Sequence, residues 1–177
     1  MFNLFKKPDG IKTRDIVWMS EAAKWNGILE RSKKETSLVI ICWFDATLEH
    51  AENLFAGETD KPEILSARQV HASHVTGRKV IFAEHYPVRS KEQDLFGRLA
   101  LPEAIIHSAL DEPLFAHFGG AKIIQMMKQL GMKESDPTEH KMISQAIVSA
   151  QEKIEKKITV EHSSGSQKEW MERNLKE

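Results

Sequence analysis

The run Thr36-Ser37-Leu38-Val39-Ile40-Ile41-Cys42-Trp43-Phe44 decides the fold class. From Leu38 onward it is apolar at every position. A strand with one wet face alternates apolar and polar side chains, whereas a strand buried on both faces reads as an unbroken run. That is the condition of an inner strand in a parallel sheet covered by helices. Cys42, the only cysteine of the chain, falls inside this run. It reads as a buried, inert thiol, with no partner for a disulfide and a fit to a reducing compartment.

Working outward, Asp15-Ile16-Val17-Trp18-Met19 reads as a strand, and Ser20 as the cap of a helix carrying Ala23, Trp25, Ile28 and Leu29. Downstream, Asp45 or Thr47 is expected to cap a helix through Leu54 and Phe55, ended by Gly57. Extended pieces follow at Glu63-Ile64-Leu65-Ser66 and Lys79-Val80-Ile81-Phe82-Ala83, and Ser90 opens a helix. Ile105 and Ile106 lie in a last short strand. Pro113 starts a helix that Gly119-Gly120 breaks, and Lys122 to Leu130 forms another. A long helix is predicted from Thr138 to Val160, with Ile143, Ala146, Ile147, Ala150, Ile154 and Ile158 in one stripe that seeks burial. A second copy of the chain is an alternative outlet for that stripe, which would make a homodimer. Strands alternate with helices, so the fold class is α/β, with a mostly parallel sheet of about five strands and a long C-terminal helix. The expected division is an α/β domain over 1–135, the long helix over 136–160 and a polar tail over 161–177.

Composition narrows the function classes. The 177 residues, 41% hydrophobic and 29% charged, suit one domain with its own core. A net charge of −1 with interspersed signs gives no basic stripe, so nucleic acid is not expected as a partner. No apolar run reaches the length of a transmembrane segment. In Met1-Phe2-Asn3-Leu4-Phe5-Lys6-Lys7-Pro8 the charges follow the apolar residues, the reverse of a secretory signal. A cytoplasmic location is therefore expected, with this segment as a short arm on the domain.

Two constellations invite chemistry. His71 and His74 stand three apart, but a zinc site needs further ligands and no second cysteine exists, so ordinary loop histidines are the plainer reading and no metal is expected. Asp45, His85 and Ser90 contain the residue types of a nucleophile–base–acid set, without the Gly-x-Ser-x-Gly elbow that would support it. Position says more. Ligands of open parallel sheets meet the carboxyl ends of the strands. Those ends are expected to present Asp45, Arg68, Glu84 and His85, with Arg89 and Arg98 approaching from the following helix.

Several blocks, in order, resemble a known family. Asp15-Ile16-Val17-Trp18-Met19-Ser20-Glu21-Ala22-Ala23-Lys24-Trp25 is similar to the Asp-x-Val-Tyr-x-Thr-x-x-Ala-Lys-Phe opening of the second motor domain of the SecA preprotein-translocation ATPases. Leu38 to Phe55 resembles its next strand and helix, and Ile64-Leu65-Ser66-Ala67-Arg68 its Val-Leu-Asn-Ala-Lys. Phe118-Gly119-Gly120, Met126 to Met132 and Pro137-Thr138-Glu139-His140-Lys141 follow the family's order. Ala146 to Glu155 resembles the start of its helical scaffold. The resemblance runs from about Asp15 to Lys157. It implies a RecA-like, P-loop-NTPase-like fold and an ancestral link to protein export.

The departures bear on activity. No Gly-x-x-x-x-Gly-Lys-Ser/Thr loop is present, as expected for a domain whose family carries that loop elsewhere. The family's Ala-Thr-Asn-Met-Ala-Gly-Arg-Gly-Thr-Asp segment is missing between Arg68 and Lys79. In Asp94-Leu95-Phe96-Gly97-Arg98-Leu99-Ala100-Leu101, Gly97 and Arg98 match the family's arginine-finger motif, but Leu101 stands at the second arginine. Such an arginine stabilises charge on a transferred phosphoryl group, about 10³–10⁵ in rate. The expectation is a degenerate ATPase domain: no catalysis, no cofactor, ATP binding doubted despite ancestry, and a protein partner in the export machinery. The alternative is a small-molecule or nucleotide-binding domain using the same carboxyl edge.

Overall fold

The computed structural model describes residues 10–175. The N-terminal arm expected over Met1–Pro8 lies outside the described residues. Five strands, β1 (Lys12–Trp18), β2 (Leu38–Cys42), β3 (Glu63–Ser66), β4 (Lys79–Phe82) and β5 (Glu103–Ala109), form one sheet in the order β1-β5-β4-β2-β3. Every strand pairing in it is parallel. Helices α1 (Glu21–Ser32), α2 (Asp45–Phe55), α3 (Ala72–Val75), α4 (Arg89–Arg98), α5 (Pro113–His117), α6 (Gly120–Gln129), α7 (Lys141–Lys157) and α8 (Gln167–Asn174) complete it. This is the α/β class expected, consistent with a RecA-like fold. No described helix is long and apolar enough to cross a membrane.

All five residues of β2 are buried, and alternation divides them between two cores. Val39 and Ile41 join Phe82, Leu95, Phe96, Leu99 and Ile106 on the α4 face. Leu38, Ile40 and Cys42 join Trp25, Ile28, Ala51 and Phe55 on the α1–α2 face. Each aliphatic side chain buried in this way contributes about 1.5–3 kcal/mol. Burial is also the first reason that the Cys42 thiol is pushed far up from its ordinary range, which leaves it unreactive.

Helix starts depart from expectation in an informative way. Ser20 caps α1, accepting the amide of Ala23 at 3.2 Å. Neither Asp45 nor Thr47 caps α2; Asp45 is its first helical residue, after Phe44. The capping oxygen comes from Glu84, at the end of β4: Oε1 accepts the amides of Trp43 and Phe44, each at 3.1 Å, and Oε2 accepts the Thr47 hydroxyl at 2.8 Å. Ser90 lies within the first turn of α4, and its hydroxyl donates to Glu155 of α7 instead of capping. The long helix starts at Lys141, after His140, rather than at Thr138. Thr138 is held away from it by two bonds with Val17 of β1, at 2.8 and 3.0 Å.

The remaining helices close over the carboxyl ends of the strands. From the predicted stripe of α7, Ile147 and Ile154 are buried, while Ala146 is exposed. Gln151 is buried on that face beside them; its amide donates at 2.8 Å to both Glu92 Oε2 and the Tyr86 carbonyl. The segment expected as a polar tail is polar on one side only. Trp170 of α8 is fully buried beside Phe44, Val88, Leu114, Ile154 and Met171. The segment between α7 and α8 is tied down as well: the Gly165 carbonyl accepts the amide of Ala46 at 2.9 Å.

Candidate functional site at the carboxyl ends of the strands

In this strand order the chain leaves β2 toward one margin of the sheet and β4 toward the other. The crevice that opens where two such connections diverge is the usual ligand site of open parallel sheets. A cavity of about 440 Å³ lies there, lined by Trp43, Phe44, Ala67, Arg68, Tyr86, Lys91, Asp94, Arg98, Glu161, Ser163 and Ser164. Its first four residues follow β2 and β3, Tyr86 follows β4, and the next three come from α4. Glu161, Ser163 and Ser164 belong to the segment before α8. The chain itself thus supplies one wall of its crevice.

The six residues expected at this edge separate into two groups. Arg68 and Arg98 face the cavity together, and Asp45 pairs with Arg68 at 3.6 Å, both side chains more than half exposed. Arg89 is half-buried and does not line it. Glu84 and His85 are no part of the surface, at 4% and 1% exposure. Their carboxylate and imidazole are spent on the fold beneath the crevice, for a reason the local sequence does not display: both are surrounded by charged residues from distant elements.

Burial is the largest influence on Glu84 and raises its pKa to about 7, against the pull of the nearby Lys24 ammonium. Lys24, 2% exposed, donates to the Ala83 carbonyl at 2.8 Å and pairs with the buried Glu112. Burial works against the charge on Lys24, but Glu112 and Glu84 outweigh it and hold the amine protonated. His85 sits between Asp15 and Glu92, at 2.9 Å from each. Desolvation would lower its pKa; the two carboxylates overcome that and raise it to about 10, so both ring nitrogens donate. The hypothetical set Asp45–His85–Ser90 is not assembled, since His85 bonds Asp15 and Glu92 and Ser90 bonds Glu155. His74 likewise serves the local backbone, its Nδ1 accepting the amide of His71 at 3.0 Å.

Residues that sequence reasoning missed complete the crevice. Lys91 adds a third cation, paired with Glu161. Tyr86 donates its hydroxyl to Glu161, and Trp170 Nε1 donates to the same oxygen at 2.9 Å. The Trp43 and Tyr86 rings meet in a tilted pair, 5.0 Å between centroids. The indole Nε1 of Trp43 and the hydroxyl of Ser164 have no partner among the described residues. Lys91, on the exposed face of a helix, carries no sequence signal beyond its spacing from Arg98. The wall at Glu161 to Ser164 was hidden because the sequence from 161 onward reads as a polar tail.

What the crevice can do is bind, through three cations and an aromatic wall, against two carboxylates. No described group there is placed as a nucleophile beside a base. No family model matches the chain. Among known proteins it is similar to part of the protein translocase subunit SecA of several bacteria. With that of Syntrophomonas wolfei it shares 31% identity over 127 residues, 70% of this chain and 15% of the relative. With that of Acinetobacter baylyi it shares 32% over 114 residues, 62% of this chain and 12% of the relative. The chain contains a SecA-related region. For SecA of Acetivibrio thermocellus the figures are 30% over 119 residues, 55% and 13%. The chain thus spans only about one-eighth of the length of the SecA proteins it matches.

Proposed function

We propose that the protein is a non-catalytic, SecA-related module that binds a protein partner in the cytoplasm and links it to protein export. The observation that carries this reading is the closure of the crevice by the chain's own C-terminal segment. Gly165 bonds the start of α2, Gln167 donates to the His85 carbonyl at 3.0 Å, and Trp170 fills the space over Phe44. The site of an open parallel sheet is thereby narrowed to a mixed-charge crevice around Arg68 and Arg98. Such a surface favours partner specificity and encounter rate over affinity. Leu101, packed at 8% exposure, offers no charge at the position of the family's second arginine, which supports a domain without ATPase activity.

A phosphate-release assay on the purified protein tests the catalytic half of this reading. Turnover that disappears in Arg98→Ala would overturn it. Co-purification with full-length SecA tests the partner half, a genuine motor domain being the first candidate; failure to associate with SecA or with any other export component would end it.

One observation favours a second reading, a small-molecule or nucleotide site at the same edge. Arg68, Lys91 and Arg98 converge on a cavity of about 440 Å³ beside the unpartnered indole N–H of Trp43. Calorimetry with ATP and ADP separates the two: measurable heat that Arg98→Ala abolishes belongs to this reading.

A further inference from the structure

A second cavity, of about 780 Å³, lies on the other side of the molecule, between α1, the outer strand β1 and the turn before α7. It shares no lining residue with the crevice. At its inner end is a hydrogen-bond mismatch. The indole Nε1 of Trp18 lies 3.2 Å from Nδ1 of His107, and Nη1 of Arg31 lies 3.3 Å from Nε2 of the same ring. Indole and guanidinium are donors only. His107 is 2% exposed. Burial first, then the charges of Arg31, Lys24 and Arg14, push its pKa down to about 3, so the ring is neutral and carries a single N–H. Whichever nitrogen holds that hydrogen points it at another donor.

Packing decides which side bears the mismatch. Trp18 is fixed: its six-membered ring packs against Gly27 of α1, where an added Cβ would collide with it. Among the described residues its N–H has no other acceptor, so Nδ1 accepts from it and the ring hydrogen sits on Nε2, facing Arg31. A buried donor left without an acceptor costs about 1–3 kcal/mol. Nε2–H and Arg31 Nη1 are therefore two neighbouring donors, both on residues that line the cavity. Arg31 holds Glu35 through Nε, at 2.9 Å, and not through Nη1.

We propose that this cavity binds a small, largely apolar molecule through one carbonyl-type oxygen, of a monocarboxylate or an amide, that accepts from both His107 Nε2–H and Arg31 Nη1–H. The volume lies within the range of about 300–1,000 Å³ usual for small-molecule pockets. Ile16, Trp18 and Ala23 give the molecule's apolar body a floor. The rim sets the charge. Glu30, Glu35, Glu134 and Glu139 outnumber Arg14, Arg31 and Lys34, and Arg14 is already occupied by both oxygens of Glu139. A dianion such as phosphate is repelled there, whereas a single shared charge or a neutral carbonyl is accepted.

The test is nitrogen-15 NMR of the imidazole rings in the full chain, titrated separately with benzoate, benzamide and inorganic phosphate to about 10 mM, a concentration that reveals millimolar binding. The expected result is a saturable shift of the His107 Nε2 signal with benzoate, with benzamide or with both, the pair distinguishing a charged from a neutral acceptor. Phosphate leaves the signal in place. In Arg31→Met, whose unchanged melting temperature reports an intact fold, the affinity falls about tenfold. No saturable shift with either organic probe overturns the proposal, as does equal binding by phosphate or undiminished binding by Arg31→Met.

Discussion

His85 Nε2 lies 2.9 Å from Asp15 Oδ1, seventy residues earlier in the chain, while its Nδ1 lies 2.9 Å from Glu92 Oε1. One imidazolium thus ties the outer strand β1 to α4. Through Gln151, which bonds the other oxygen of Glu92, it also ties in α7. All four side chains are buried.

His85→Gln is expected to destabilise the fold by about 3–5 kcal/mol, because it leaves two carboxylates buried with one neutral partner. The pH dependence has a definite sign. The folded pKa of about 10 lies above the ordinary 6.5, so the stabilisation is complete below about 6.5 and is lost as pH rises toward 10. Asp15 acts oppositely. Its pKa is lowered, despite burial, by His85, so its contribution is lost as pH falls below the ordinary 3.8. Urea midpoints of wild type and variant between pH 6 and 10, the range set by those two values, should converge as pH rises.

Lys24 and Glu112 form a pair with both side chains within 5% of full burial. Lys24→Met should cost about 3–5 kcal/mol by stranding Glu112 and Glu84. Adding Glu112→Leu should recover much of that loss, since an apolar pair of similar volume often matches a buried ion pair. Urea denaturation of the single and double variants measures the coupling; additive losses would show that the pair does not act as a unit.

Trp170→Ala should destabilise the protein by about 3–5 kcal/mol, the range for large aromatic truncations in a core. Deletion from residue 161 onward should lower the melting temperature as well. An unchanged melting temperature for the deletion would mean that the segment rests on the crevice without contributing to the fold. Trp170 and Met171 are consequently unsuitable for testing a binding surface, because their replacement acts through the core.

Arg68→Glu with Arg98→Glu should reduce partner capture while shifting stability by less than about 0.5 kcal/mol per site. The Arg68–Asp45 pair is too exposed to add more than about 1 kcal/mol. Capture that survives the double reversal would move the contact away from the crevice.

Much of the fold was legible because its signals are local. The unbroken run at Leu38–Cys42 announced a strand buried on both faces, and Ser20 announced the start of α1 through its own side chain. Glu84 was illegible for the opposite reason. Its capping of α2 depends on β4 lying beside β2, a relationship of tertiary pairing that no neighbour in sequence encodes. The same holds for His85, whose partners come from β1 and α4. At the crevice, Arg68 and Arg98 were found because strand ends can be counted from the sequence. Glu161 and Ser164 were missed because the polar, Ser-rich segment from 161 onward reads as a tail until Trp170 is seen to anchor it.

The two bonds between Val17 and Thr138 have a consequence for many molecules together rather than for one. A margin strand offers unpaired N–H and C=O groups as a template for strangers, and β1 is such a margin. Thr138 occupies it near its carboxyl end, and Pro137, without an N–H, cannot extend the ladder into a true sixth strand. The opposite margin, β3, is only four residues long and begins with a charged side chain. Both flanks of the sheet are blunted, which guards a crowded solution of this protein against edge-to-edge aggregation.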